Sequence, residues 1–216
     1  MSAAVMILGE SGTGKSTSMR NLDPHETLLI QTIKKPLPFR SKNWSYLSNE
    51  NASGNMIVCD NSEKIISLMR KTKRPVIVLD DFQYLLANEF MRRTEERGYD
   101  KFTDIGKHAW EVLTAASTLP DHVRVYILAH TETSDSGRIK AKTIGRMLDE
   151  KVTIEGMFSI VMRTAVINDQ FVFSTKNSGM DTVKTPMGMF EADHIDNDLA
   201  AIDASIVYYY DLKAAA

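Results

Sequence analysis

One glycine-rich segment near the N-terminus constrains the fold of this chain more than any other feature. It consists of Gly9, Glu10, Ser11, Gly12, Thr13, Gly14, Lys15 and Ser16. The apolar run Ala3–Leu8 before it predicts a strand, and Lys15–Asn21 after it predicts a helix. Glycines allow a loop to turn its N–H groups inward around an anion, and the following helix points its positive end at the same place. The segment therefore predicts a phosphate-binding loop between a strand and a helix.

The loop fits the pattern G-x-x-x-x-G-K-[ST] at every position, which predicts that it binds ATP together with Mg²⁺. In such a loop the ammonium group of Lys15 meets the β- and γ-phosphates, which makes Lys15 a catalytic candidate. The hydroxyl group of Ser16 binds the metal ion. We expect the contacts with ATP to run from Gly9 to Thr17. A chance glycine-rich turn is the alternative, and the flanking strand and helix argue against it.

A second polar site follows the apolar run Val76–Leu79, which predicts a buried strand and leads into two carboxylates. We expect Asp80 to join Ser16 in holding Mg²⁺, because a hard divalent cation prefers carboxylate oxygens. Asp81 is a candidate catalytic base that orients or deprotonates the attacking water. Asp81 also suits the N-cap of a helix that begins at Phe82, and the sequence leaves both roles open.

A third polar residue, His130, follows the apolar run Val123–Ala129. This run predicts another buried strand, and His130 would lie at its carboxyl end. Beside the phosphate-binding loop, such a residue contacts the γ-phosphate and takes part in catalysis. A histidine with a purely structural role is the alternative, and the sequence does not decide between the two.

Strand patterns alternate with helical patterns along the first part of the chain, which predicts an α/β fold with a mostly parallel sheet flanked by helices. The further predicted segments are strands at Thr27–Ile33 and Met56–Cys59 and helices at Ser62–Lys71, Phe82–Arg97 and Asp104–Ser117. The polar stretch Thr131–Thr143 predicts a loop. Ser159–Ile167 and Gln170–Ser174 flank Asn168-Asp169, so the sheet is expected to end in an antiparallel hairpin.

The composition is that of a globular protein: of 216 residues, 43% are hydrophobic and 25% are charged, and the formal net charge is −2. Any contact with nucleic acid must therefore come from local basic patches. The single cysteine, Cys59, excludes an intramolecular disulfide.

No apolar run approaches the ~18 residues that span a bilayer and no signal-peptide pattern is present, so we expect a cytoplasmic protein without membrane contact. We expect one domain over residues 1–213, with Ala214–Ala216 as an artificial tail.

Five stretches spread over most of the chain carry a resemblance to a known family. They are ILGESGTGKSTSMRNL, VIVLDDFQYL, ILAHTE, KTIGRMLDEKVTIEGMFSIV and DTVKTPMGMFEADHIDNDL. The chain resembles the RecA-like P-loop ATPases and, more closely, the phage-encoded Sak-type single-strand annealing proteins. The resemblance implies a RecA-like core that hydrolyses ATP with Mg²⁺ and acts on single-stranded DNA in phage recombination, by strand annealing or as a mediator. It also implies a homo-oligomer in the cytoplasm of the bacterial host, with a single-strand DNA-binding protein as a possible further partner.

In RecA-like proteins two loops face the DNA, and the resemblance places basic residues of this chain in both. The first loop carries Arg92 and Arg93, and the second carries Arg138, Lys140 and Lys142. Such residues neutralise phosphates and release counterions, which makes the affinity depend on salt. Acidic neighbours nearly cancel the charge of the first loop, so a solvated helix face is its alternative.

RecA-like enzymes also place basic residues of a neighbouring subunit on the γ-phosphate. The resemblance gives three candidates for this finger role, Arg146, Lys176 and Lys184. Ordinary surface side chains are the alternative for each of them.

The chain departs from the family at the end of the second strand. RecA-type enzymes carry a catalytic glutamate there, and this chain has Gln31-Thr32. Catalysis must then use Asp81 or Glu132, or be slow. Two rival functions stay open. One is a nucleotide or small-molecule kinase, since such enzymes have a similar length and residues 131–146 would form the lid. The other is an ATP-binding switch with very slow turnover, which the missing glutamate keeps open.

Overall fold

Within residues 2–145 and 147–212, which the computed structural model describes, nine strands form one mostly parallel sheet. The strands are β1 (Ala3–Gly9), β2 (Thr27–Gln31), β3 (Met56–Val58), β4 (Val76–Asp80), β5 (Arg124–Thr133), β6 (Ile139–Ala141), β7 (Ile160–Ile167), β8 (Gln170–Ser174) and β9 (His194–Asp196). The α-helices are α1 (Ser62–Lys71), α2 (Gln83–Arg92), α3 (Asp100–Ser117) and α4 (Leu199–Tyr209). Short helical turns lie at Ser16–Asn21, Met147–Lys151 and Ile154–Met157. The expected tail, Ala214–Ala216, lies outside the described residues.

The strands follow the order β3-β2-β4-β5-β1-β7-β8-β9, and β6 pairs with β5 beside this path. The pairs β2–β3, β2–β4, β4–β5, β5–β1 and β1–β7 are all parallel. Strand β5 therefore lies between β1 and β4, and all three have their carboxyl ends at the same edge. The predicted fold class, an α/β fold with a mostly parallel sheet flanked by helices, is confirmed.

Each face of the sheet has its own hydrophobic core, which explains why the parallel strands are apolar at nearly every position. Along β1, Met6 and Leu8 point into the core that α1, α2 and α3 cover. Val5 and Ile7 point into the opposite core, which α4 and the helical turn at Ser16–Asn21 cover. Helices on both faces hold β1 in the middle of the molecule.

The predicted hairpin is confirmed: β7 and β8 pair antiparallel, with Ile167 opposite Gln170. Asn168 and Asp169 both have positive φ, 51° and 60°, as a two-residue turn of type I′ requires. The expectation that the sheet ends here is wrong, because β9 pairs antiparallel with β8 and leads into α4. Strand β9 has three residues, too few for an alternating pattern to show.

The expectation of a loop over Thr131–Thr143 is also wrong. Strand β5 continues to Thr133 and turns back as β6, so that Thr131 pairs with Ala141 and Thr133 with Ile139. Apart from the buried Ala141, the residues of this hairpin are exposed or half-buried, and most of them are polar. The predicted boundaries of two helices shift as well: α2 stops at Arg92, and α3 begins already at Asp100.

A buried polar cluster attaches α4 to the sheet. The guanidinium group of Arg124 donates to both carboxylate oxygens of Asp203, at 2.9 and 2.7 Å, and the hydroxyl group of Tyr126 donates to the same carboxylate at 2.5 Å. Tyr126 is completely buried and Arg124 is 8% exposed. Burial, and then the Asp203 carboxylate, raise the pKa of Tyr126 well above its ordinary value, so its hydroxyl group stays a donor.

We expect Asp203→Ala to lower the free energy of unfolding by about 3–5 kcal/mol, because it leaves a buried arginine and a buried tyrosine without their acceptor. Urea denaturation measures the loss. The matched control is Asp193→Ala, which removes an exposed carboxylate paired with Lys176 and should change the stability far less. Equal losses in the two variants would contradict a structural role for the buried cluster.

Candidate functional site

The carboxyl ends of β1, β4 and β5 meet at a cleft of about 250 Å³. Residues of five separate segments line it. They are Ser11, Gly12, Gly14, Lys15, Ser16 and Thr17 of the glycine-rich loop, Lys35, Pro36 and Pro38 after β2, Asp81 directly after β4, His130 within β5, and Phe171 of the hairpin. The structure thus brings the three motifs predicted from the sequence into one place.

Hydrogen bonds to β7 fix the start of the glycine-rich loop. The hydroxyl group of Thr13 donates to the carbonyl oxygen of Glu10 at 2.8 Å and lies 2.6 Å from the hydroxyl group of Thr164. Thr164 in turn donates to the carbonyl oxygen of Leu8 at 3.3 Å. A Cβ atom on Gly9 would lie only 1.9 Å from the Thr164 hydroxyl oxygen, so this close approach requires glycine.

The second half of the loop turns at Gly14, whose φ of +96° only glycine adopts without strain. A Cβ atom at this position would also lie 3.0 Å from the ring of Phe171 and 3.1 Å from the side chain of Asn197.

The helix that follows is shorter than expected: Ser16–Asn21 is one 3₁₀ segment that ends before the extended Leu22. Its dipole is correspondingly small, and the N–H groups of the loop itself must supply most of any attraction for an anion.

The ammonium group of Lys15 is held inside this loop. It donates to the carbonyl oxygens of Gly9 and Glu10, at 2.8 Å each, and only 6% of the residue is exposed. Burial lowers the pKa of Lys15 to about 8, and the nearby carboxylates of Asp81 and Asp80 offset part of this effect. A cation that is buried at some cost gains from a nearby anion, which an incoming phosphate would provide.

Asp80 ends β4 inside the protein, with no exposed surface. The hydroxyl group of Ser16 donates to its two carboxylate oxygens, at 3.1 and 3.0 Å. Burial, and then the neighbouring Asp81 carboxylate, raise the pKa of Asp80. The predicted partners for a metal ion are therefore direct neighbours, although 64 residues separate them in the chain.

In the described part of the chain, no three His, Cys, Asp or Glu side chains converge on a metal-ion site. Mg²⁺ at a phosphate-binding site needs only one or two carboxylates, because phosphate and water supply the other oxygens. The hydroxyl group of Ser16 and the carboxylate of Asp80 are hard oxygen donors of this kind, so these two residues fit the ion.

The N-cap role that was left open for Asp81 is wrong. Helix α2 begins at Gln83 without a side-chain cap, and Asp81 has a left-handed φ of +62°. This strained backbone turns its carboxylate into the cleft, where it contacts the ammonium group of Lys35 and lies 3.5 Å from Nε2 of His130. Burial alone would raise the pKa of Asp81, but the contacts with His130 and Lys35 hold it below its ordinary value.

Lys35 is the site residue that the sequence analysis missed. Its ammonium group pairs with Asp81 and lies 3.5 Å from the carboxylate of Asp80. Burial alone would lower the pKa of Lys35, but the two carboxylates outweigh burial and raise it. A local signal exists: the basic pair Lys34-Lys35 follows a strand that ends in polar residues beside β4.

The two residues at the end of β2 support this arrangement. Thr32 donates to the backbone carbonyl of Asp81 at 2.8 Å, which helps hold the strained turn. Gln31 lies opposite Asp80 in the sheet and is 1% exposed. Its amide donates to the Lys35 carbonyl oxygen at 3.2 Å and accepts from the Tyr46 hydroxyl group at 3.0 Å. Gln31 therefore helps to position Lys35.

His130 lies between the glycine-rich loop and the carboxylates, because β5 lies between β1 and β4. Its backbone is opposite Gly9, and its ring packs edge-on against Tyr84 with centroids 6.3 Å apart. Glu132, the other candidate base, lies two residues further along β5 and pairs with Lys140 at 3.3 Å. It is not among the described residues that line the cleft.

The two groups of basic residues differ in their surroundings. Arg92 pairs with Asp60 at 2.6 Å, and Arg93 pairs with Glu89, Glu96 and Asp104 at 3.1, 2.8 and 2.8 Å. Acidic neighbours within the protein thus already bind both arginines. This arrangement favours the solvated helix face as the interpretation of the first loop.

The second basic group lies along β6, next to the cleft. Arg138 donates to the carbonyl oxygen of Asp181 at 3.4 Å, and Lys140 pairs with Glu132. The backbone N–H of Lys142 donates to the carbonyl oxygen of His130 at 2.8 Å, while its side chain is exposed. The hairpin is therefore joined directly to a residue that lines the cleft.

Two of the finger candidates, Lys176 and Lys184, are not among the described residues that line the cleft. Lys176 donates to the carbonyl oxygen of Glu191 at 2.6 Å and pairs with Asp193 at 2.8 Å. Lys184 is exposed, and its backbone bridges to Val161. Arg146 lies outside the described residues.

Comparison with known proteins gave no match, either to a protein-family model or to a curated protein sequence. None of the helices in the described part of the chain has the length and apolar character that crossing a bilayer requires. The geometry of the cleft is therefore the basis for assigning a function.

We expect Lys15→Met to change how stability depends on pH. Between pH 8 and 10.5 the unfolded chain keeps a proton on Lys15 that the folded chain has released, so the wild type gains stability as the pH rises through this window. The gain is roughly 3 kcal/mol, at about 1.4 kcal/mol per pKa unit. Lys15→Met lacks it. Urea titrations at both ends of the window test this, with the exposed Lys71→Met as control; parallel profiles of wild type and Lys15→Met would contradict it.

Proposed function

We propose that the protein is a RecA-like P-loop ATPase that uses Mg²⁺ and acts on single-stranded DNA, as the resemblance to the Sak-type phage proteins implies. One observation carries the proposal. The Ser16 hydroxyl group, adjacent in sequence to the buried Lys15, donates to the buried carboxylate of Asp80 in a cleft that Asp81 and His130 also line. Each group that nucleotide hydrolysis needs has a candidate within this one cleft.

Each residue has a distinct task in this proposal. The loop N–H groups and the ammonium group of Lys15 bind the phosphates of ATP, with Lys15 exchanging its bonds to the loop carbonyls for bonds to phosphate. Ser16 and Asp80 would hold Mg²⁺, and the ion would supply positive charge that offsets the charge of the phosphates. Asp81 accepts a hydrogen bond from the attacking water and takes its proton. His130 contacts the γ-phosphate.

The contact between β6 and His130 supports a link between ATP and DNA. The hairpin that carries Arg138, Lys140 and Lys142 is bonded through its backbone to the carbonyl oxygen of His130. A phosphate backbone bound to this hairpin would act on the residue that contacts the γ-phosphate. We therefore assign the DNA to the β6 hairpin and not to Arg92 and Arg93. A homo-oligomer, and a single-strand DNA-binding protein as partner, belong to the same proposal.

A second function, a slow ATP-binding switch, is favoured by the surroundings of Asp81. A carboxylate that is paired with Lys35 and whose pKa lies below its ordinary value is a weak base. The end of β2, where a glutamate would serve, carries the fully engaged Gln31. The kinase alternative gains less support, because the segment that would form its lid folds back on β5 as a hairpin.

We expect Lys15→Ala and Asp80→Ala each to lower the rate of ATP hydrolysis by roughly 100-fold or more, since each removes a charge that acts directly on the phosphates or the metal ion. Phosphate release with Mg²⁺, with and without single-stranded DNA, measures the rate. Lys71→Ala, on the opposite edge of the sheet, serves as control and should keep the wild-type rate. Undiminished hydrolysis by Lys15→Ala would overturn the assignment, whereas tight ATP binding without turnover in the wild type would identify the switch.

We expect the triple variant Arg138→Ala, Lys140→Ala, Lys142→Ala to bind single-stranded DNA with a weaker dependence on salt. The slope of log K against log [salt] should decrease by about 2, because each lost phosphate contact removes about 0.7. Fluorescence anisotropy with a labelled oligonucleotide at several salt concentrations measures the slope. The control removes the same charge at the opposite edge of the sheet, with Arg70, Lys71 and Lys73 changed to alanine. An unchanged slope in the first variant would refute the DNA-binding role of this hairpin.

A further inference from the structure

We infer that Phe171 and Asn197 form the subsite for the base of the bound nucleotide, and that the side-chain amide of Asn197 selects adenine. The inference rests on the proposed function, but the only part of that function it requires is that the loop binds a nucleoside triphosphate. It adds the part of the ligand beyond the phosphates.

Phe171 lies in β8, next to the turn of the β7–β8 hairpin, and its ring lines the cleft together with Gly14 and Thr17. The residue is 47% exposed and lines the cleft, so part of it is accessible to a ligand. Its Cδ1 atom lies 3.0 Å from the point where a Cβ atom on Gly14 would be. A planar base attached to phosphates in the loop can therefore stack on this ring, and stacking suits any base because each has an aromatic face.

Asn197 is 2% exposed, and neither Oδ1 nor Nδ2 has a hydrogen-bond partner among the described residues. Both atoms lie against the phosphate-binding loop, 3.1 and 3.2 Å from the same point beside Gly14 that the Phe171 ring approaches. The backbone of Asn197 is held firmly: its N–H donates to the carbonyl oxygen of Phe171 at 3.3 Å, and its own carbonyl oxygen accepts from Arg20. The amide is thus fixed beside the cleft with its hydrogen-bonding capacity unused.

A buried amide without partners costs free energy, and most such groups in folded proteins are satisfied. An asparagine amide presents a donor and an acceptor side by side, and adenine presents the complementary pair at N7 and the 6-amino group. Guanine presents two acceptors at these positions, so one of them would face Oδ1. In this proposal the half-exposed Phe171 ring would rotate onto the base, and the base would then reach the Asn197 amide beside Gly14. The same movement would allow the base to stack on Phe171 and to form hydrogen bonds with Asn197.

The experiment compares binding of ATP, GTP and inorganic tripolyphosphate, each with Mg²⁺, by calorimetry. Phe171→Ala should weaken ATP binding by roughly 10- to 100-fold and leave tripolyphosphate binding unchanged, while Phe171→Trp should retain ATP binding. Asn197→Leu should weaken ATP binding by about 10-fold, so that ATP approaches GTP. Tyr208→Ala, which removes an aromatic ring that is 90% exposed on α4, is the control and should match the wild type.

Thermal unfolding separates recognition from a structural role for the amide. Replacing an unpartnered buried amide with an apolar side chain of similar size should leave the melting temperature of Asn197→Leu equal to the wild type or above it. Wild-type ATP affinity in Asn197→Leu and Phe171→Ala, or equal affinity of the wild-type protein for ATP and GTP, would overturn the inference. A wild-type protein that binds neither ATP nor tripolyphosphate would instead overturn the proposed function.

Discussion

The hydrogen bond between the Ser16 hydroxyl group and the buried carboxylate of Asp80 holds the candidate site together. It joins the end of the glycine-rich loop to the end of β4 across the intervening strand β5. A carboxylate without exposed surface is tolerated in a folded protein only when donors or cations satisfy it, and here Ser16 and Lys35 do so. Lys35 also pairs with Asp81, and Gln31 donates to the backbone carbonyl of Lys35, so the left-handed turn at Asp81 and the polar end of β2 help to keep these groups around that carboxylate.

Much of the fold could be predicted because its signals are local. Buried parallel strands are apolar at nearly every position, the glycine-rich loop has a fixed spacing, and Asn168-Asp169 suits a two-residue turn. Strands β6 and β9 were missed because they have only three residues each. Three residues are too few for an alternation of apolar and polar side chains to separate a strand from a loop.

Site residues that follow a buried strand could be predicted from the sequence. The site residue that an irregular loop brings back to the cleft could not. Asp80, Asp81 and His130 follow apolar runs, so the direction of the parallel strands brings them together. Lys35 belongs to an irregular segment whose path depends on contacts such as that between Gln31 and Tyr46. The acidic neighbours of Arg93 were visible in the sequence, and in the structure three acidic side chains surround it.

The central position of β1 has a consequence for the order of folding. Ala3 pairs with Arg124 and Val5 with Ile160, so the first strand of the chain finds both neighbours only after most of the other elements have formed. Pairings this distant in sequence are slow, because the entropy of closing a long loop is lost before the contacts form. The glycine-rich loop also needs Thr164 of β7 to fix its start. Nascent chains and partly folded species would therefore lack a phosphate-binding loop, and binding of a triphosphate would report that the whole sheet is complete.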